Sequence, residues 1–229
     1  NKKIIVNFDK QKFNFEEIFS YHLSKYTKGS LSLLHNHIDP QYLPDEVVKQ
    51  YNDQNLKFYQ ILYQVDDGYS QSSQKEEDYF LKTYKNFIRY ISSKFFSEKI
   101  VYQAKPTLRI QFPGNMAVGA WHRDRDYNHP IEEVNFWVPI TDAYDTSTIW
   151  VESSFDKEDY MPANLQFGEM LMFDSGLKHG NKINLTNRTR LSFDFRVIPL
   201  SKFLGNKKNS RSIAQEIDFS IGEYYAISD

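Results

Sequence analysis

Thr107-Leu108-Arg109-Ile110-Gln111-Phe112 alternates polar and apolar side chains, the period of two that puts successive residues on opposite faces of a strand. It marks a boundary in the chain. Upstream, Phe15, Ile18, Phe19, His22 and Leu23 recur at helical spacing after Asn14-Phe15-Glu16-Glu17, with the acidic residues in the first turn. Residues 45–66, through Val47, Val48, Tyr51, Leu56, Tyr59, Ile61 and Leu62, and residues 75–98, through Tyr79, Leu81, Tyr84, Phe87, Ile88 and Ile91, predict two more amphipathic helices. Ser73 and Glu76 fit a capping box at the start of the second. Ile4, Val6 and Phe8 suit a short strand or extended arm, and residues 31–44, with Pro40 and Pro44, read as a loop. In that loop His35 and His37 read as packed or surface side chains, since no carboxylate or third histidine follows at ligand spacing.

Downstream, the turn Pro113-Gly114-Asn115 leads into a strand over 116–121. Four more are predicted at 133–139, 147–152, 168–173 and 189–198, with turn residues between them and no helix intervening. Many short strands without crossover helices indicate a sandwich or barrel rather than a parallel sheet. The expected organisation is a single α+β domain over 1–229. Residues 1–100 form a mainly helical buttress, 101–200 the β core, and 201–229 a tail that folds back and is a candidate lid.

Composition narrows the chemistry. With 229 residues, 40% hydrophobic and 16% aromatic, the chain is long enough to bury a core without covalent staples. It has 28 basic and 30 acidic residues, so no global field recruits nucleic acid or an anionic membrane. The absence of cysteine leaves His, Asp and Glu as the strong metal ligands. No apolar run approaches a spanning helix, and Lys2 to Val6 is too short for a signal-peptide core. A cytoplasmic protein with a small-molecule substrate is expected; the pattern sets no oligomeric state. The chain opens on Asn1 rather than Met, as a trimmed chain would.

Within this frame Trp121-His122-Arg123-Asp124 gains meaning. His122 and Asp124, two residues apart, project to one side if the chain is extended, and His179 follows the turn Asp174-Ser175-Gly176 at another strand edge. Two imidazoles and one carboxylate on one face of an ion leave the opposite face open, the arrangement used by non-haem Fe(II) oxygenases. Arg190 and Ser192 share a strand face further on. A guanidinium inside a barrel requires an anion, and its planar fork suits a carboxylate. A dicarboxylate bound to the metal at one end and to Arg190 at the other predicts 2-oxoglutarate. Arg196 lies on the same face as Arg190, as an inward partner for Asp194 or a rival for the anion, as is Arg188.

These residues, in this order, resemble the Fe(II)/2-oxoglutarate-dependent dioxygenases. The wording of Arg109 to Asn115, Asn135 to Pro139, Trp150 to Ser153, His179 to Asn184 and Arg190 to Arg196 is similar to the phytanoyl-CoA-hydroxylase-like branch, in particular to streptomycin-type oxygenases. The resemblance covers about residues 105–199. It implies a double-stranded β-helix (a jelly-roll, cupin-like core) and Fe(II) held by His122, Asp124 and His179. It further implies 2-oxoglutarate and dioxygen as co-substrates, and hydroxylation of a C–H bond, since Asp124 is retained where related halogenases carry a small residue. Gln111 and Asn135 join Arg190 and Ser192 as candidates for the co-substrate. Arg109, Tyr127, Trp137, Trp150 and Glu152 are candidates for a polar, sugar-like or amino-acid-like substrate. The alternatives are a cupin-like binding module without turnover and a hydroxylase of a peptide or tRNA residue.

Overall fold

The computed structural model describes residues 3–44, 57–63, 77–117, 120–205 and 218–229. Strand β1 (Lys3–Asn7) and helix α1 (Phe15–Leu23) come first, then α2 (Lys57–Tyr63) and α3 (Glu77–Phe95). The sheet half runs β2 (Ile100–Gln103), β3 (Thr107–Gln111), β4 (Val134–Pro139), β5 (Trp150–Val151), β6 (Met161–Pro162), β7 (Glu169–Asp174), β8 (His179–Gly180) and β9 (Arg190–Pro199). Helix α4 (Leu200–Gly205) and β10 (Tyr225–Ile227) complete it. Among the described residues no helix is long and apolar enough to cross a membrane.

All the strand pairs are antiparallel. Seven strands form one sheet in the order β1-β7-β4-β9-β2-β10, with β3 also on β9, and β6-β5-β8 form a second sheet of three. Strand β9 is the spine: residues 190–194 pair with β3, residues 197–199 with β2, and its other edge with β4.

Alternation decides what each face of the large sheet does. Phe136 and Val138 of β4, Met170 of β7, and Leu191, Phe193, Phe195 and Val197 of β9 pack with Phe15, Phe19, Phe80, Tyr84, Phe87 and Ile91 of the helices. Phe193 takes the edges of Phe15 and Phe87 at centroid distances of 4.8 and 6.5 Å, and Phe195 stacks on Phe136 at 5.2 Å. Phe193→Ala is expected to cost about 3–5 kcal/mol, read by urea denaturation, because these rigid rings cannot close the hole. The other parity turns towards the small sheet. Trp137, Leu171 and Phe173 there meet Ile149, Val151 and Ala163.

Several expectations need correction. Of the strand expected over 116–121, the described residues 116, 117, 120 and 121 form none: Asn115 Oδ1 accepts the Ala117 N–H at 3.0 Å and Ala117 takes φ +63°, a local hydrogen bond that competes with a ladder. Residues 118–119 lie outside the described residues. The strand at 147–152 shrinks to Trp150–Val151, preceded by a 3-10 turn at Asp145–Ser147. Residues 31–44 are more ordered than a loop, with 3-10 turns at Leu31–Asn36 and Pro40–Tyr42 capped by Ser30 and Asp39. Most of the predicted helix at 45–66, and the capping box at Ser73 and Glu76, fall outside the described residues. So does 206–217 of the tail. The rest of the tail is built in: Ala226 pairs with Tyr102, and Phe219, Tyr224 and Tyr225 pack on Val101 and Ile198.

Candidate metal centre

His122 and His179 face one another across a single antiparallel bridge, the N–H of each donating to the carbonyl of the other at 3.0 and 2.9 Å. Their rings sit 4.5 Å apart. Each Nδ1 donates to the carbonyl two residues earlier in the chain, Ala120 and Leu177, at 2.9 Å. That bond fixes the tautomer and leaves Nε2 as the lone-pair nitrogen. Both Nε2 atoms point at Asp124 Oδ1, 3.6 and 3.7 Å away.

Asp124 does not reach this point by strand alternation, as the spacing suggested. It opens a 3-10 turn, Asp124–Tyr127, which folds its carboxylate back beside His122. The two carboxylate oxygens have separate partners. Oδ2 accepts from Asn135 Nδ2 at 2.8 Å and from Arg196 Nε at 3.1 Å, which leaves Oδ1 to the imidazoles. One ligand atom from each of the three residues falls within 4.8 Å of the others. A cation with ligand bonds of about 2.0–2.2 Å fits between them. The donor set suits a divalent metal, with two imidazole nitrogens and one carboxylate oxygen, each oriented by a second hydrogen bond.

The electrostatics agree. Burial alone would raise the Asp124 carboxyl, but Arg196, then His179, His129 and His122, hold it well below the usual carboxylate range. Burial, then the neighbouring His122, pushes His179 down to about 4, so it is neutral near pH 7. Burial likewise lowers His22, whose Nε2 bonds the Ile61 carbonyl at 3.0 Å. With folded pKa values below the unfolded value of about 6.5, both groups bind fewer protons in the native state. The metal-free protein should therefore lose stability as pH falls from about 6.5 towards 4, a trend checked by urea midpoints across that window.

The cavity beside the triad is floored by the large sheet in register rows. The lining residues are Asn135 with Phe173 and Arg196 in the first row, Trp137 with Asp194 in the second, Arg109 in the third and Arg190 in the last. Ile149, Gly180 and Asn181 close it from the small sheet. Gly180 allows the close approach of its neighbour: a Cβ there would stand 3.0 Å from the Trp121 indole, itself packed at a tilt against Tyr160 with centroids 4.1 Å apart.

Arg190 is buried with an acceptor set that aims it. Nε donates to the Ser147 carbonyl at 3.1 Å, Nη1 to Ser192 Oγ at 2.7 Å and Nη2 to Gln111 Oε1 at 3.3 Å. Its guanidinium lies over the Trp137 ring, 5.7 Å from the centroid. Gln111 spends its Nε2 on the carbonyls of Asn115 and Lys182 and so acts through Arg190. Arg188, the other candidate, instead donates to Ser32 Oγ at 3.0 Å and is exposed.

Two of the substrate candidates are placed elsewhere. Val151 faces the space between the sheets, so Trp150 turns outward, with Lys182 3.4 Å above its ring and Nε1 on the Asp145 carbonyl. Glu152 is buried and structural: it accepts the N–H of Lys178 at 2.7 Å and of Glu158 at 3.2 Å, bracing the residue before His179. The strand ends at Val151, so face-sharing with Trp150 fails. Arg109 and Trp137 do line the cavity, Arg109 paired with Asp194 at 3.3 Å, and Tyr127 sets its ring against His122 at 5.5 Å.

Sequence reasoning placed Arg196 beside Asp194, and the 2.5 Å bond between them is there, but it missed the bond from Arg196 to Asp124. It also missed the anchor behind the Asp124 turn. Glu133 accepts from His129 Nδ1 at 2.8 Å and from the Tyr225 hydroxyl, and His129 packs at a tilt against Phe219. The parity of β9 signalled the first; nothing local linked Glu133 to a tyrosine 92 positions away.

No protein-family model matches this chain. Over 129 residues, 56% of the chain, it is 38% identical with the streptomycin biosynthesis protein StrG of Streptomyces griseus. The chain spans about 60% of the length of that relative. Among solved structures it is similar to the non-heme alpha ketoglutarate dependent epimerase SnoN from nogalamycin biosynthesis. The TM-score is 0.50 at 11% identity, over 99% of this chain and 93% of that one. The resemblance drawn from the sequence is borne out by both: the relative belongs to the streptomycin pathway, and the fold is shared with a 2-oxoglutarate-dependent enzyme.

Proposed function

We propose that this chain is an Fe(II)- and 2-oxoglutarate-dependent oxygenase that hydroxylates a C–H bond of a small polar molecule, its two facing sheets forming a double-stranded β-helix. One observation carries the reading: the one-sided triad of His122, Asp124 and His179 shares its cavity with Arg190. Ser192, which receives Arg190 Nη1, is four strand steps of roughly 3.3 Å from Arg196 above the metal end, about 13 Å in all. The ligand bonds of the metal at one end and the hydrogen bonds of Arg190 and Ser192 at the other shorten the gap that 2-oxoglutarate itself has to cover to less than that span.

Iron held by His122, Asp124 and His179 would supply dioxygen activation. The chain's own residues do the rest. Arg190 holds the distal carboxylate, and Ser192, whose oxygen already accepts from Arg190, has its own hydroxyl proton to donate to that anion. Trp137 and Phe173 exclude water from the space beside the imidazoles. Asn135 and Arg196 keep Asp124 bound through one oxygen. The reaction balances as loss of carbon dioxide from 2-oxoglutarate, with one atom of dioxygen entering succinate and the other the product hydroxyl.

The test is calorimetry under anaerobic conditions with Fe(II) or Mn(II), then 2-oxoglutarate, followed by succinate release in air. Tight binding of 2-oxoglutarate only in the presence of metal is the expected result. Failure to bind it would remove the reading in favour of a binding module without turnover.

A further inference from the structure

We propose that the substrate is recognised through O–H or N–H donors given to two amide oxygens, Asn135 Oδ1 and Asn181 Oδ1, which makes it a polyol or amino-polyol. The inference rests on the oxygenase reading and narrows its substrate. Asn135 is 3% exposed and stands in the cavity floor beside the triad. Its amide orientation is forced: Nδ2 faces Asp124 Oδ2, and an ionised carboxylate accepts hydrogen bonds only. Oδ1 is thereby left on the other side, buried and without a hydrogen bond among the described residues. A buried carbonyl in that state carries an uncompensated desolvation penalty until a donor arrives.

On the opposite wall, Asn181 gives Nδ2 to the Thr148 carbonyl at 3.2 Å, and its Oδ1 makes no hydrogen bond among the described residues. The 2-oxoglutarate dianion has acceptors only, so it can satisfy neither oxygen. On this reading Asn135, expected from the sequence as a co-substrate residue, offers its free oxygen to the substrate instead. Trp137, Phe173 and Ile149 line the same cavity as the two amides, apolar surfaces suited to the C–H faces of a ring whose edges carry the donors. Two amide acceptors and apolar faces lining one cavity match a hydroxylated or aminated ring.

The experiment uses the full chain loaded with Zn(II) and 2-oxoglutarate, which binds without turning over, and ligand-observed NMR titration. The probes are D-glucose, D-glucosamine and myo-inositol against their fully methylated counterparts, which keep the skeleton and the acceptors but lose the hydroxyl donors. At least one free compound should bind more tightly than its methylated form by roughly tenfold, the worth of a single hydrogen bond. In Asn181→Ala that preference should shrink severalfold. Equal binding of methylated probes, no binding by any free probe once 2-oxoglutarate is bound, or an undiminished preference in Asn181→Ala overturns the proposal. Failure of 2-oxoglutarate itself to bind counts against the oxygenase reading instead, so the two failures are separable.

Discussion

Asp124→Ala is expected to abolish metal binding and turnover together, and also to destabilise the fold by about 3–5 kcal/mol, the cost of breaking a buried charged pair from one side. Arg196 is the reason for the second effect. Buried behind the triad, it divides its guanidinium among Asp124, Asp194 and Gln103, and loses the first of these in the variant. Adding Arg196→Met should restore stability to within about 1 kcal/mol of wild type, since a buried ion pair exchanged for apolar groups is often neutral. The double variant should still bind no metal. Urea unfolding and Co(II) titration of both proteins check this; a single variant as stable as wild type would show that Arg196 does not depend on Asp124.

Arg190→Met is expected to weaken 2-oxoglutarate by at least about 100-fold with the metal site intact. Removing one partner of a buried hydrogen-bonded charge pair costs about 2–5 kcal/mol, and each 1.4 kcal/mol is tenfold. Arg190→Lys should recover little of this, because an ammonium cannot bond Ser147, Ser192 and Gln111 together while also presenting a planar fork. Anaerobic calorimetry with Mn(II) separates the two affinities. Parallel loss of metal binding would place Arg190 in the scaffold of the triad rather than at the far end of the co-substrate.

The sequence was most legible where side-chain period and burial agree. Strand β9 alternates polar and apolar side chains from Arg190 to Val197, so its two faces, and with them Arg190, Ser192, Asp194 and Arg196, could be sorted by parity alone. Strand β3 is similar. Legibility failed where local hydrogen bonds override the period. Asn115 captures the chain before the triad, and the Asp124 turn brings a carboxylate into place by curling rather than by alternation. The three residues expected to converge do come together, by a geometry that is different. Two-residue strands such as β5 and β8 are too short to show a period, which is why Trp150 and Glu152 were put on the wrong faces. The contact of Glu133 with Tyr225 joins distant segments, a relation that no window along the chain contains.

The division of labour along β9 also sets a rule for how this protein can vary. Its odd-numbered residues from Leu191 to Val197 belong to the helices, and its even-numbered residues from Arg190 to Arg196 to the cavity. An insertion or deletion of one residue early in the strand would shift the frame and exchange the two sets, driving guanidinium groups among the phenylalanines and emptying the cavity of its charges. Changes within a single parity are far milder. The even positions can be rewritten for another ligand while the odd ones still fold the chain, so a lineage built on this strand is free to change its chemistry by substitution but not by slippage.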